Sequence, residues 1–126
     1  MSKNEIGSVS WHDLTVTMAD EIKNFYESVV GWDSRPVSMG EYLDYSMQSP
    51  TTGDDQVGIC HARGANADLP AQWLMYILVE DVDKSIAAVE KQGGCCVTEI
   101  KHFSATSRYV VIQDPAGAVC AIYDEK

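Results

Sequence analysis

A chain of 126 residues with 45% apolar and 22% charged side chains is a single domain of ordinary size, ordered and able to bury one real core. Its formal net charge of −10 argues against the basic face that a phosphate backbone demands, so nucleic acid is not an expected partner. No apolar run approaches a membrane span and residues 1–5 lead into no signal-peptide core. A soluble, cytoplasmic protein with no membrane partner is the expectation.

In chain order, residues 8–16 read as a strand whose alternation sets Trp11, Asp13 and Thr15 on one face and His12, Leu14 and Val16 on the other. Ala19-Asp20-Glu21 opens a helix with carboxylates at the positive end of its dipole. Ile22, Phe25, Tyr26, Val29 and Val30 form one apolar stripe, and Gly31 ends it. That stripe is expected to cover Leu14 and Val16, leaving the Trp11 face for another use. Residues 32–39 and 42–48 read as a hairpin pair, 49–55 as a polar turn, 56–61 as a short strand and 62–70 as a crossover loop. Residues 73–80 form a further strand, and Asp81 or Asp83 caps a helix that turns Val82, Ile86 and Val89 inward. Gly93-Gly94 stops that helix. Strands are expected at 95–100, 107–113 and 118–123, the last two joined by Asp114-Pro115-Ala116-Gly117, residues suited to a type I turn.

The chain states this plan twice. Slid by 63 positions, half its length of 126, Leu14 meets Ile77, Val16 meets Val79, Asp20 meets Asp83, Glu27 meets Glu90 and Gly31 meets Gly94. The order is β-α-β-β-β in each half, an α+β pattern with both helices on one side of the sheets. Cys60, Cys95, Cys96 and Cys120 show neither disulfide-framework density nor C-x-x-C spacing, and are expected as buried, reduced thiols.

Val16 followed by Phe25-Tyr26, then Gly31-Trp32, Val79-x-Asp81-Val82-Asp83, Gly93-Gly94 and Asp114-Pro115-x-Gly117-Ala118 together resemble the vicinal oxygen chelate superfamily. This group contains glyoxalase I, extradiol dioxygenases, fosfomycin-resistance enzymes and bleomycin-binding proteins. The resemblance covers nearly the whole chain. It implies one domain over 1–126 made of two tandem βαβββ modules, about 7–63 and 71–126, that form a cup-shaped mixed β-sheet with helices on its outer face. It also implies a homodimer, and a metal held at matching strand positions inside the cup. Here those positions fall on Trp11, Gly58, Leu74 and Ala121, which offer no imidazole, thiolate or carboxylate. His12 is one residue from Trp11, but a slip of one turns a strand side chain to the other face. No metal and no cofactor are expected.

Without a metal, alternation predicts a cup lined by Trp11, Asp13, Thr15, Leu74, Tyr76, Leu78, Val119, Ala121 and Tyr123. That is an apolar, aromatic wall with a few polar groups, suited to a small organic molecule; the alternative is ordinary core filling. Asp13 is the candidate acid or base, since burial beside Trp11 would raise its pKa unless it is paired. The competing expectation is a structural pairing with Arg108, a backbone amide or a tyrosine hydroxyl. His61 and His102 read as edge or exposed histidines, and Glu80-Asp81-Asp83 as helix capping. Two functions follow: a binding or sequestering protein, for which the −10 charge suits a flat cationic ligand, or an isomerase, lyase or hydroxylase-like enzyme using Asp13 or a tyrosine in place of metal. Glyoxalase I or dioxygenase activity proper is disfavoured, because both need a cation to polarise the substrate.

Overall fold

The computed structural model describes residues 5–125. Among them are nine strands and two α-helices: β1 (Val9–Val16), α1 (Ala19–Val30), β2 (Asp33–Ser38), β3 (Leu43–Gln48), β4 (Asp55–His61), β5 (Trp73–Leu78), α2 (Val82–Lys91), β6 (Cys95–Cys96), β7 (Lys101–His102), β8 (Ser107–Gln113) and β9 (Val119–Glu125). This is the expected α+β order with one strand more in the second half. The chain divides into two compact units, one ending at Trp11 and resuming from Leu74, the other His12–Trp73. No helix among the described residues is long and apolar enough to cross a membrane.

In the His12–Trp73 unit the strand order is β2-β3-β4-β1. Its core holds Ala19, Met47 and Ile59, with Val16, Ile22, Tyr26, Trp32 and Trp73 packed around them. The even-numbered side of β1 therefore faces α1, as alternation requires. Tyr26 serves two purposes here, its ring lying 5.4 Å from that of Trp73 and its hydroxyl accepting from Trp73 Nε1 at 3.2 Å. The predicted α1 stripe is only half used. Ile22 and Tyr26 pack inward, whereas Phe25, Val29 and Val30 are each more than half exposed.

In the other unit β5, β9, β8 and β6 follow one another, with β7 on β8 and Gly7 and Ser8 hydrogen-bonded to Leu78. Val82, Val110 and Ile122 form the core beneath α2, joined by Ile77, Val79, Ile86 and Ile112. The runs Tyr109-Val110-Val111-Ile112 and Ala121-Ile122-Tyr123 are rich in the β-branched and aromatic residues a pleated, two-sided surface favours. Asp81 caps α2 as expected, accepting from the N–H groups of Asp83 and Lys84 at 2.8 and 3.4 Å. In the β8–β9 turn Asp114 Oδ1 accepts from Ala116 N and Ala118 N at 2.8 and 3.0 Å.

The repeat is visible in the register. β1 and β4 run parallel with Asp13↔Gly58, Leu14↔Ile59 and Thr15↔Cys60; β5 and β9 run parallel with Tyr76↔Ala121, Ile77↔Ile122 and Leu78↔Tyr123. Every residue of the second set lies 63 positions after its counterpart in the first. On the next strand the offset grows to 65, since Ser46 pairs with Gly58 and Val111 with Ala121. The second copy has thus gained two residues before β8.

The single strand expected at 95–100 is broken. Val97 and Thr98 both direct their N–H groups to the Val111 carbonyl, at 2.8 and 3.4 Å. The Thr98 hydroxyl then accepts from Val111 N at 3.1 Å, in place of a strand carbonyl. The strand stops at Cys96, and a separate short strand, β7, ends at His102, which is exposed as expected. The cysteines are all free, but Cys95 is exposed and the other three only half-buried, so full burial of the thiols is corrected.

Candidate functional site

Because Ile77, Ile122, Val110 and Ile112 turn toward α2, alternation sends Tyr76, Leu78, Ala121, Tyr123, Tyr109 and Val111 to the opposite face. The pairing brings the predicted Tyr76, Leu78, Ala121 and Tyr123 together in adjacent rows, with Val119 across from Gln113 and Leu74 at the start of β5. These side chains are packed. Leu74 and Ala121 are fully buried, and Tyr76, Tyr109 and Tyr123 retain 6, 8 and 7% of their surface. Tyr123 shares a short hydrogen bond with the Ser10 hydroxyl. Trp11 is half-buried in the same unit.

Three side chains that sequence reasoning passed over stand on this face: Tyr109, Phe103 and Lys101. The Phe103 ring stacks on Tyr109 with centroids 4.2 Å apart and planes at 13°, and lies 5.9 Å from Tyr76. Lys101 Nζ is 5.8 Å from the Tyr109 centroid, and burial holds its ammonium below the usual lysine range. Extending the alternation to residues 107–113 would have found Tyr109, two positions before Val111. Phe103 carried no such signal.

The other unit carries different chemistry at matching places. Asp13 stands where the second copy has Tyr76, Cys60 where it has Tyr123, and Asp44, by the 65-residue offset, where it has Tyr109. The Cys60 thiol is pushed well up, first by burial, then by the charges of Asp13 and Asp44, and by a hydrogen bond with Asp44. The predicted Asp13 is half-buried, and Thr15, beside Cys60, is buried. Asp44 Oδ1 also accepts from His61 N at 2.9 Å and lies 3.3 Å from its Nδ1, while His61 Nε2 is 3.7 Å from Asp20. His61 is therefore a half-buried link between β3 and α1, not an isolated edge residue.

Arg108 is committed within its own unit. It donates from Nε and Nη2 to Asp124 at 3.2 and 2.6 Å and from Nη1 to Asp83 at 2.9 Å, and lies 3.6 Å from Asp81. These three carboxylates, Asp124, Asp83 and Asp81, lie at the start of α2 and near the end of β9. Glu80 pairs instead with Lys84 at the surface.

Tyr45 donates a short hydrogen bond to Asp20, which pushes its phenol up to about 12, with burial and the nearby carboxylates adding to the effect. A phenol raised above its ordinary 10.0 contributes stability that is complete below pH 10 and is lost as pH climbs through about 12. Difference absorbance titration of the protein against Tyr45→Phe should show that midpoint, and Asp20→Asn should bring it down toward 10.0. An ordinary midpoint in the parent protein would contradict the bond.

Gly58, Leu74 and Ala121 have no donor to give a cation. Among the described residues no three His, Cys, Asp or Glu side chains are grouped to hold one. Two apolar grooves, of about 340 and 290 Å³, lie instead at the helices. One is bordered by Val89, Ile112 and Pro115, the other by Leu14, Phe25 and Trp73, and neither includes any predicted wall residue.

Comparison with known proteins agrees with this architecture. "Putative glyoxylase CFP32" of Mycobacterium bovis is 32% identical over 120 residues, covering 93% of this chain and 45% of that protein. "Anthracycline biosynthesis protein DnrV" of Streptomyces peucetius is 27% identical over 134 residues, covering 98% of this chain and 49% of that one. The chain spans about half the length of the curated relatives it matches. Methylmalonyl-CoA epimerase from Mycobacterium tuberculosis shares the fold at a TM-score of 0.57 and 16% identity, covering 100% of this chain and 93% of the other. The family model described as Glyoxalase/Bleomycin resistance protein/Dioxygenase superfamily matches residues 6–122, and the chain belongs to that superfamily.

Proposed function

We propose that this chain binds a small organic molecule on the sheet faces turned away from its helices, through side chains alone and without a metal ion. The observation that carries the reading is the trio Tyr76, Tyr109 and Tyr123 gathered on one face, where the first copy has Asp13, Asp44 and Cys60. Tyrosines supply large, flat contact area with a polar tip, the composition of an organic-ligand site. Trp11, Asp13, Thr15, Leu74, Leu78, Val119 and Ala121 complete the proposed contact set. Support also comes from the relative named for anthracycline biosynthesis. The functional unit is taken as a homodimer, as the likeness to the superfamily implies.

A second reading, an isomerase, lyase or hydroxylase-like enzyme, is favoured by the two carboxylates Asp13 and Asp44 acting on one thiol. There Asp13 serves as the acid or base. The fold shared with an epimerase is compatible with it.

Calorimetric screening of small organic molecules in the presence of a chelator tests both. Saturable binding is expected, weakened about 3- to 10-fold in Tyr76→Leu, the size of one lost aromatic contact. A sequestering protein shows no turnover; an enzyme loses turnover in Asp13→Asn while keeping its affinity. Binding that is indifferent to Tyr76→Leu, or that vanishes with chelator, contradicts the proposal.

A further inference from the structure

Phe103 sits at the start of the four-residue loop joining β7 and β8, which Phe103 N and Ser104 N tie to the Ser107 carbonyl at 2.9 and 3.4 Å. Its strand, β7, is only Lys101–His102, and among the described residues it pairs with β8 alone. Phe103 is 55% exposed, yet its ring lies nearly parallel on that of Tyr109, a residue 8% exposed. An exposed residue on a short hairpin, its ring stacked over that of a buried tyrosine, is what an internal stand-in for a flat ligand looks like. The stack uses the Tyr109 face that a ligand ring would use, and the tether that holds it there is small.

Lys101 adds a charge to the same place. Its Nζ lies 5.8 Å from the Tyr109 centroid, and burial has stripped part of its water. A desolvated ammonium beside an aromatic plate favours a ligand that brings an anionic oxygen. The net charge of −10 argues the other way, toward a cation. Charges beyond about 8 Å are screened at physiological salt, so the net charge spread over the chain counts for less on this face than the ammonium beside Tyr109.

We propose that Phe103 holds the stacking place of a planar aromatic ligand in the free protein, and that Lys101 selects ligands of that shape carrying an anionic oxygen. This rests on the tyrosine-face reading above and narrows its ligand class. Displacement moves the Phe103 ring outward on the β7–β8 hairpin and leaves the ligand ring on Tyr109, with its acidic group toward Lys101.

Three planar probes test it by calorimetry: anthraquinone-2-sulfonate, the neutral 2-(hydroxymethyl)anthraquinone, and cationic proflavine. The sulfonate should bind best. Lys101→Met should weaken the sulfonate about tenfold and leave the neutral probe unchanged. Phe103→Ala should tighten both anthraquinones at least threefold and raise their association rates, because the competitor is gone. Phe103→Leu, which keeps apolar cover without a ring, should fall between, and melting curves check that each variant folds. Weaker binding in Phe103→Ala makes the ring part of the clamp and overturns the stand-in. Preference for proflavine, or indifference of the sulfonate to Lys101→Met, overturns the ligand class. If these arms fail while some other molecule still binds in a Tyr76- and Tyr109-dependent way, this inference falls and the tyrosine face stands. If binding ignores Tyr76→Leu and Tyr109→Leu together, both fall.

Discussion

Asp124→Ala should lower the unfolding free energy by about 3–5 kcal/mol, the loss of charge-assisted hydrogen bonds together with a buried N–H left unpaired. The carboxylate is fully buried near the end of β9, and one oxygen accepts from Val82 N at 2.8 Å and from Arg108 Nη2 at 2.6 Å. Val82 is the first residue of α2, so its N–H has no partner within the helix. Removing the carboxylate leaves that N–H buried and unpaired at the helix's positive end, and takes the central acid from Arg108. For a chain of 126 residues the loss should read as a fall in Tm of about 12–20 °C. Asp124→Asn should lose less, since an amide oxygen still accepts from Val82. A loss under about 1 kcal/mol for Asp124→Ala would contradict the network.

Gly94→Ala should cost about 2–3 kcal/mol, the upper part of the range for forcing atoms into a packed site. A Cβ on Gly94 would lie 2.6 Å from the Gln113 carbonyl oxygen and 3.1 Å from Val89 Cγ1. That carbonyl cannot swing aside, because Gln113 is paired with Cys95 on one side and Val119 on the other. Gly31→Ala meets nothing within 4 Å and suffers only its left-handed backbone, φ 87°, at about 1 kcal/mol. Urea denaturation of the two variants side by side separates close approach from backbone strain. Equal losses would show that Gly94 is not tightly enclosed.

This pair also shows how far the repeat could be read from residues alone. Aligning Gly31 with Gly94 is correct in sequence, but the left-handed glycine that ends α2 is Gly93, at φ 91°. α2 stops two residues before the 63-residue image of α1's end, so its glycines divide the work between turning and close packing. The faces of β1, β5 and β9 were legible because their period of two is strict and each helix fixes which side is inward. The stripe on α1 was legible as a stripe, but periodicity does not say whether Phe25, Val29 and Val30 are covered. The position of Phe103 depends on Thr98 breaking the strand and on the two residues gained before β8, both features of pairing geometry. The network joining Arg108, Asp124, Asp83 and Asp81 was hidden for a related reason: it spans β8, β9 and the start of α2. Asp13 stood out in the sequence by its neighbours, whereas Asp44 and Cys60 became its companions only through the β1–β4 and β3–β4 registers.

Equilibrium dialysis of the purified protein against zinc, nickel, manganese and ferrous ions, followed by elemental analysis, weighs most directly on the claim that side chains alone hold the ligand. The account predicts no ion retained in stoichiometric amount, and organic-ligand affinity unchanged by any of the four. An ion retained at one per chain, with ligand affinity that rises on its addition, would contradict it.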